Sequence, residues 1–238
     1  MVRPSATNLG KRDGKVVQRA VFLPGEGHVI IAADFSQVDM RAVAGLCQDP
    51  LYMAMFEPGK DMHTEIAAMM GVSRDAAKPL NHGNNYGLGA KSMILQGHDP
   101  DLVRRFFAVM NKFTVKDAWT EKIRKRGAAG ELLDNGFGRP MRCDPKRAYT
   151  QAPALMGQGA ARDIMTEGLL RMVELMPEIM SMFRAVVHDE GVLSVPIDRV
   201  EEVTSVLREA MTFDFRGVPI LADISAPGVN WADCYPAK

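Results

Sequence analysis

The chain has 238 residues, 47% hydrophobic and 24% charged, enough for one generous domain or two small ones and too apolar for a disordered tail or a coiled-coil rod. Its 29 Lys+Arg and 29 Asp+Glu cancel to zero net charge, which taken alone argues against a phosphate-rich partner. The total hides a basic block. Residues 103–147 carry 12 basic and 5 acidic side chains, against 10 and 11 in residues 1–102 and 7 and 13 in residues 148–238. Cys47, Cys143 and Cys234 are odd in number and far apart, which suits neither a disulfide framework nor a cysteine zinc site. No apolar run approaches the about 18 residues of a membrane span, and the N-terminus lacks a signal peptide's apolar region. A cytoplasmic protein without a membrane partner is expected.

In chain order, residues 1–28 read as an extended lead-in. The apolar run Val29-Ile30-Ile31-Ala32-Ala33 predicts a buried strand with Asp34 at its tip. Ser36 and Asp39 resemble a capping box, and Val38, Ala42, Val43 and Leu46 keep helical spacing after it. From 51 to about 128 the pattern is helical, broken at Gly59, Gly71, the run Asn81 to Gly89, and Asp99-Pro100. Leu102 to Arg126 reads as one or two amphipathic helices with a basic face. Asn135-Gly136 with Phe137-Gly138 signals a hairpin. A helix is expected from about Gln158 to Leu175, stopping before Pro177. Arg184 to Val187, a tight turn at His188-Asp189-Glu190-Gly191, and Val192 to Val195 read as strand, turn, strand, followed by an amphipathic helix over 198–211. Strands and helices that do not alternate regularly predict an α+β fold with an antiparallel sheet.

Two acids at strand tips, Asp34 and Asp189, stand out by their surroundings. Asp34-Phe35-Ser36-Gln37-Val38-Asp39-Met40-Arg41, then Arg74-x3-Lys78-x3-His82-x3-Tyr86-Gly87, then Val187-His188-Asp189-Glu190 resemble, in order, motifs A, B and C of the DNA polymerase I family (family A). Asp61-Met62-His63, Gly138-Arg139-Pro140-Met141-Arg142, Gln158-Gly159-Ala160-Ala161-Arg162-Asp163, and Arg19 with Phe22 resemble further segments of that family, so the likeness covers nearly the whole chain. It implies an antiparallel palm sheet with an inserted helical fingers subdomain: palm in 1–50, fingers in 51–130, palm again in 131–238.

The activity implied is template-directed DNA polymerisation, with primer-template DNA and dNTPs as partners. In-line attack by a primer 3′-hydroxyl on an α-phosphate suits two Mg²⁺ ions, with Mn²⁺ as the alternative, held by hard oxygen ligands. Asp34 and Asp189 are the expected bridging carboxylates, with the Phe35 carbonyl as a further ligand by resemblance and Glu190 in support. Positions 74, 78 and 82 step by four and share one helix face with 86. Arg74 can fork two phosphate oxygens, and Lys78 can neutralise and protonate the leaving group. Tyr86 would stack near the nascent base pair, His63 would contact phosphate, and Gln37, Asp39 and His82 complete the nucleotide set. Arg19, Arg139, Gln158, His188 and Glu190 are the expected DNA-facing group, where minor-groove acceptors common to all base pairs suit an enzyme that must accept each of them. The cluster Lys122, Arg124, Lys125, Arg126 reads equally as phosphate contact or solvated surface.

The sequence departs from the family pattern at several points. Asp39 stands where the family has Glu, setting back the carboxylate that excludes a ribose 2′-hydroxyl. His82 stands where the family has Phe or Tyr. Pro79 lies inside the motif B helix, at about 3 kcal/mol in a helix interior, so a kink or a start one turn later is expected. The family's Asn four residues before Gln158 is here Ala154, unless Gln151 serves. Pro4, Asn8 and Leu9 match the stretch where the resemblance begins, with Arg3 a candidate remnant of the segment before it. A separate polypeptide carrying the thumb and exonuclease-like part is therefore expected, and the divergence suits a phage protein acting in host cytoplasm. A non-catalytic nucleic-acid-binding remnant and a metal-dependent nuclease are the competing readings.

Overall fold

A computed structural model describes residues 18–235; Arg3, Pro4, Asn8 and Leu9 lie outside them, as does most of the lead-in. In chain order the elements are β1 (His28–Phe35), α1 (Val38–Cys47), α2 (Pro50–Met53), α3 (Met62–Met70), α4 (Arg74–Asn85), α5 (Ala90–Leu95), α6 (Pro100–Met110), α7 (Thr114–Ala128), β2 (Leu133–Asp134), β3 (Pro140–Met141), α8 (Ala148–Leu175), β4 (Phe183–Val187), β5 (Glu190–Pro196), α9 (Val200–Ala210), β6 (Phe213–Phe215), β7 (Val218–Ile220) and β8 (Ala222–Ile224). The fold is α+β, as the irregular order of elements predicts. The described residues divide into two compact units: 18–36, Ile164–Phe213 and 220–235 in one, Gln37–Asp163 and Asp214–Pro219 in the other.

The first unit is built on a four-stranded sheet of order β4-β5-β1-β8. β1 lies inside it and pairs antiparallel with both neighbours, from His28↔Pro196 to Asp34↔Glu190 on one side and from Ala33↔Ile224 to Phe35↔Ala222 on the other. Ile30, Ile31, Ala32 and Ala33 are buried, which explains why this strand reads as a continuous apolar run rather than an alternation. α9 packs against β5 and β8 and buries Val203, Leu207 and Ala210, a stripe at helical spacing.

The second unit is helical around one core that includes Met40, Tyr52, Phe56, Ile66, Leu80 and Phe106. Met55, Met62, Met70, Met93 and Met110 join it, filling gaps with an adaptable side chain. Arg41 is buried in this unit and donates to the carbonyls of Phe56 (3.1 Å) and Pro219 (2.6 Å), so its charge is solvated by backbone rather than water. Gly45 of α1 allows close packing: a Cβ there would come within 2.7 Å of Phe215 Cδ1 and 2.8 Å of its carbonyl oxygen. Gly45→Ala is expected to lower stability by about 1–3 kcal/mol, read as a lower urea midpoint with an unchanged slope.

Local differences from the sequence reading have identifiable causes. α1 is not capped by Ser36: its N-cap is Gln37 at φ 54°, without a side-chain cap. The Ser36 N–H donates instead to Leu221 O, and the Gln37 side chain is engaged elsewhere. α4 starts at Arg74 with Ser73 capping Ala76 N, and runs through Pro79 to Asn85. The start one turn later is therefore wrong, and the run from Asn81 is helical for five residues before it turns. α8 begins ten residues earlier than expected and contains Pro153. The carbonyl four residues before that proline, Tyr149 O, accepts from Arg124 Nε at 2.9 Å, replacing the bond the ring cannot donate. The 133–141 hairpin is present, with Gly136 and Gly138 at φ 88° and 74°. No helix among the described residues is long and apolar enough to cross a membrane.

Candidate active site

In the first unit β1 carries Asp34 to a point between two other acids in register, Glu190 on β5 and Asp223 on β8. The β4–β5 turn holds His188 at φ 61° and brings Asp189 alongside, where its carbonyl accepts from Phe35 N at 3.2 Å. Burial pushes the Asp34 carboxyl up to about 8; repulsion from Asp189, Glu190 and Asp223 adds to this, against the opposing pull of Arg19. A carboxyl so disfavoured as an anion is poised for a cation that would neutralise the group.

Glu190 is committed differently. It is buried, accepts from Trp231 Nε1 at 2.7 Å and from the Tyr235 hydroxyl, and lies 3.8 Å from Arg19 Nη2. Arg19, expected to face DNA, is buried, with its guanidinium 4.6 Å from the Trp231 ring and 4.2 Å from the Tyr235 ring. Burial and the Glu190 carboxylate raise the Tyr235 phenol far above its ordinary range, so it stays a donor. This aromatic and cationic frame fixes Glu190 beside Asp34.

Among the described residues no three His, Cys, Asp or Glu side chains form a ready-made metal cage. The donors at hand are Asp34, Asp189 and the Phe35 carbonyl. Such a set fits Mg²⁺, which keeps water and substrate phosphates among its ligands, better than a metal needing a closed protein cage.

The second unit gathers the motif B side chains and their supports. Asp61 caps α3 through Thr64 N (2.8 Å) and receives both Arg74 Nε (3.0 Å) and Nη2 (2.9 Å). Gln37 Nε2 donates to the same carboxylate at 2.8 Å, while Gln37 Oε1 accepts from Met62 N at 3.2 Å. Burial would raise the Asp61 carboxyl, but the Arg74 fork and the two Thr64 donors outweigh it and hold the group well below the usual range. Arg74 therefore grips a carboxylate while its side chain stays partly exposed. Lys78, one turn on, is exposed, and none of the described residues forms an ion pair with it.

His63 is buried and receives Asn81 Nδ2 on its Nδ1 at 3.0 Å. Its ring centroid lies 5.1 Å from that of His82. Burial, then the His82 ring, pushes the His63 imidazole down to about 4, and burial and Lys78 lower His82 too. A histidine held neutral in the fold stabilises it fully above its unfolded value near 6.5, and this is lost as pH falls towards 4. The His63 Cε1 proton resonance is expected to titrate near 4 in the folded protein; a midpoint near 6.5 contradicts this. Tyr86 terminates α4, and its hydroxyl donates to Asp39 of α1.

The other expected DNA-facing residues are spread more widely. Arg139 Nε pairs with Asp163 at 2.8 Å and its Nη2 donates to Gly159 O at 3.0 Å. Gln158 and His188 are exposed. Gln151 Oε1 accepts from Asp144 N at 3.0 Å, and Ala154 sits in the same continuous helix. In the basic cluster, Arg124 stacks 3.9 Å from the Tyr149 ring, Lys125 lies 3.8 Å from Glu121 and Arg126 2.8 Å from Glu131; Lys122 is exposed. Sequence reasoning did not single out Asp223, Asn81, Trp231 or Tyr235, and took Asp61 only as part of a motif. For Asp223 the trace is slight, a three-residue strand Ala222–Ile224 with one acid in it.

Comparison with known proteins bears on both units. The model of DNA polymerase family A matches residues 3–233. The chain is 30% identical over 254 residues to the thermostable DNA polymerase I of Thermus filiformis, covering 97% of this chain and 29% of that protein. It is 28% identical over 266 residues to DNA polymerase I of Pseudomonas aeruginosa, covering 98% and 28%. The chain thus spans under a third of these relatives' length. In fold it is similar to the POL domain of Pol1 from M. smegmatis, solved in complex with DNA primer-template and dNTP: TM-score 0.82 and 21% identity, over 98% of this chain and 45% of that one. With three motifs in order and a family match running almost end to end, this chain belongs to DNA polymerase family A.

Proposed function

We propose that the chain is the catalytic core of a template-directed DNA polymerase, transferring a nucleotidyl group from a dNTP to a primer 3′-hydroxyl. The observation that carries this is the carboxylate crowd around Asp34, where burial first, and then repulsion from Asp189, Glu190 and Asp223, suppresses its ionisation. The neighbour's complex with primer-template and dNTP supports the same ligands here. Residues 1–50 and 131–238 are read as palm and 51–130 as fingers.

Two Mg²⁺ or Mn²⁺ ions, when bound, would favour the ionised primer hydroxyl and neutralise charge on the attacking and leaving oxygens. Asp34 and Asp189 would hold them through carboxylate oxygens, with the Phe35 carbonyl as a further donor, and Glu190 keeps Asp34 in place from its aromatic frame. Lys78, exposed and cationic, binds the triphosphate and gives a proton to the departing pyrophosphate. Arg74 forks a phosphate in exchange for Asp61, and His63 donates to another. Tyr86, Asp39 and His82 border the sugar and base. Arg139, Gln158 and His188 contact the duplex, and Gln37 and Arg19 act by holding Asp61 and Glu190. The neutral total charge supports a further part of the reading, a separate thumb-bearing polypeptide that adds grip on the DNA backbone.

The test is primer extension with Mg²⁺ or Mn²⁺, with and without a candidate thumb-bearing partner. Template-directed extension is the expected result. Salt-dependent DNA binding with no extension under any condition overturns the proposal in favour of a binding remnant, and plasmid nicking without extension overturns it in favour of a nuclease.

A further inference from the structure

His63 and Asn81 face each other across α3 and α4, and both are buried at 2% exposure. Asn81 Nδ2 lies 3.0 Å from His63 Nδ1, while Asn81 Oδ1 is buried without a partner. A neutral imidazole carries one N–H, and its site is set by what the other nitrogen meets. Two orientations of the Asn81 amide compete. With Nδ2 towards the ring, a single carbonyl oxygen goes unmet. With Oδ1 towards the ring, the amide's N–H donors lose their partner in the same buried place. Unmet buried donors are rarer than under-satisfied carbonyls, so the first orientation prevails. Nδ1 then accepts, and the ring proton resides on Nε2, which has no partner among the described residues.

We propose that Asn81 is a positioning residue: by donating to Nδ1 it fixes the His63 proton on Nε2 and makes this uncharged ring a hydrogen-bond donor towards the phosphate oxygens of a nucleoside triphosphate. The phosphate end rests on the polymerase reading above; the tautomer does not. Around the ring stand Asp61, which favours its protonated form, and His82, Arg74 and Lys78, which disfavour it. With cations already on the face, a neutral donor adds direction without adding like charge. Asn81 would thereby set which atom of His63 meets substrate, without touching substrate.

Nitrogen-15 spectra of the histidine-labelled whole chain at pH 8 read the tautomer directly. The wild type should carry its His63 proton on Nε2. Asn81→Asp, which offers only acceptors, should move the proton to Nδ1, and Asn81→Leu should give a mixture. In primer extension, Asn81→Asp should raise the dNTP KM at least about tenfold with a smaller change in kcat, since a donor to a charged phosphate is lost. Asn81→Leu should fall between it and wild type, an order that a merely structural defect would not reproduce. A wild-type proton on Nδ1 overturns the inference without any variant having to fold. A tautomer that moves while the KM stays put overturns its phosphate end. Failure of the wild type to extend primers with or without the thumb-bearing partner overturns the polymerase reading instead, and the spectra keep the two failures distinct.

Discussion

Asp34→Asn and Asp189→Asn are each expected to reduce primer extension by about a thousandfold or more, because each deletes a negative oxygen that the divalent ions need. The same substitutions should leave the metal-free protein at least as resistant to heat as the wild type. Burial and repulsion from Asp189, Glu190 and Asp223 push the Asp34 carboxyl up to about 8, so near neutral pH an amide there replaces a group already uncharged, and neutralising Asp189 removes a neighbouring charge. Loss of activity with stability kept separates a metal-binding acid from a structural one. Extension by both variants at the wild-type rate would show that these acids do not hold catalytic metal. Glu190→Gln should behave in the opposite way, since Glu190 accepts from Trp231 and Tyr235 in a buried frame: its first effect should be a lower melting temperature.

Lys78→Met should lower kcat by about 100- to 10,000-fold, the range of a lost general acid. Lys78→Arg distinguishes charge from proton donation. A guanidinium keeps the cation but does not give up a proton near neutral pH, so the dNTP KM should remain within a few-fold of wild type while kcat stays low. If Lys78→Arg restores kcat, charge alone explains the residue; if Lys78→Met raises only KM, the residue binds and does no more. Arg74 should respond differently from Lys78, because its fork already grips Asp61 at 2.9 and 3.0 Å. Asp61→Asn frees that fork at the expense of the α3 cap and is expected to change nucleotide affinity more than kcat.

The basic block at 103–147 that the charge arithmetic isolates is only partly available to DNA. Arg124, Lys125 and Arg126 are engaged with Tyr149, Glu121 and Glu131, and Lys116 is buried. Arg105, Lys112, Lys122, Arg142, Lys146 and Arg147 are exposed and enter no ion pair among the described residues, so half of the block's 12 cations stand ready for phosphate.

What could be read without coordinates was local. An apolar run of five ending in Asp34 forms β1, because a strand buried on both faces needs an unbroken run. The tight turn that carries Asp189, the hairpin at 133–141 and the amphipathic stripe of α9 follow from turn chemistry and periodicity within a few residues. The order of the three motifs carried the family. What only the tertiary structure decided depends on partners remote in sequence. Asp223 joins Asp34 through strand pairing; Arg19 is drawn into a cage by Trp231 and Tyr235 near the other end of the chain; Arg124 takes over the carbonyl that lets α8 run through Pro153. The amide of Asn81 and the fork of Arg74 are likewise claimed by His63 and Asp61, across the packing of α3 on α4. A side chain's chemistry is written in its own residue. The atom it meets is chosen by the fold, and burial then makes that choice expensive to undo.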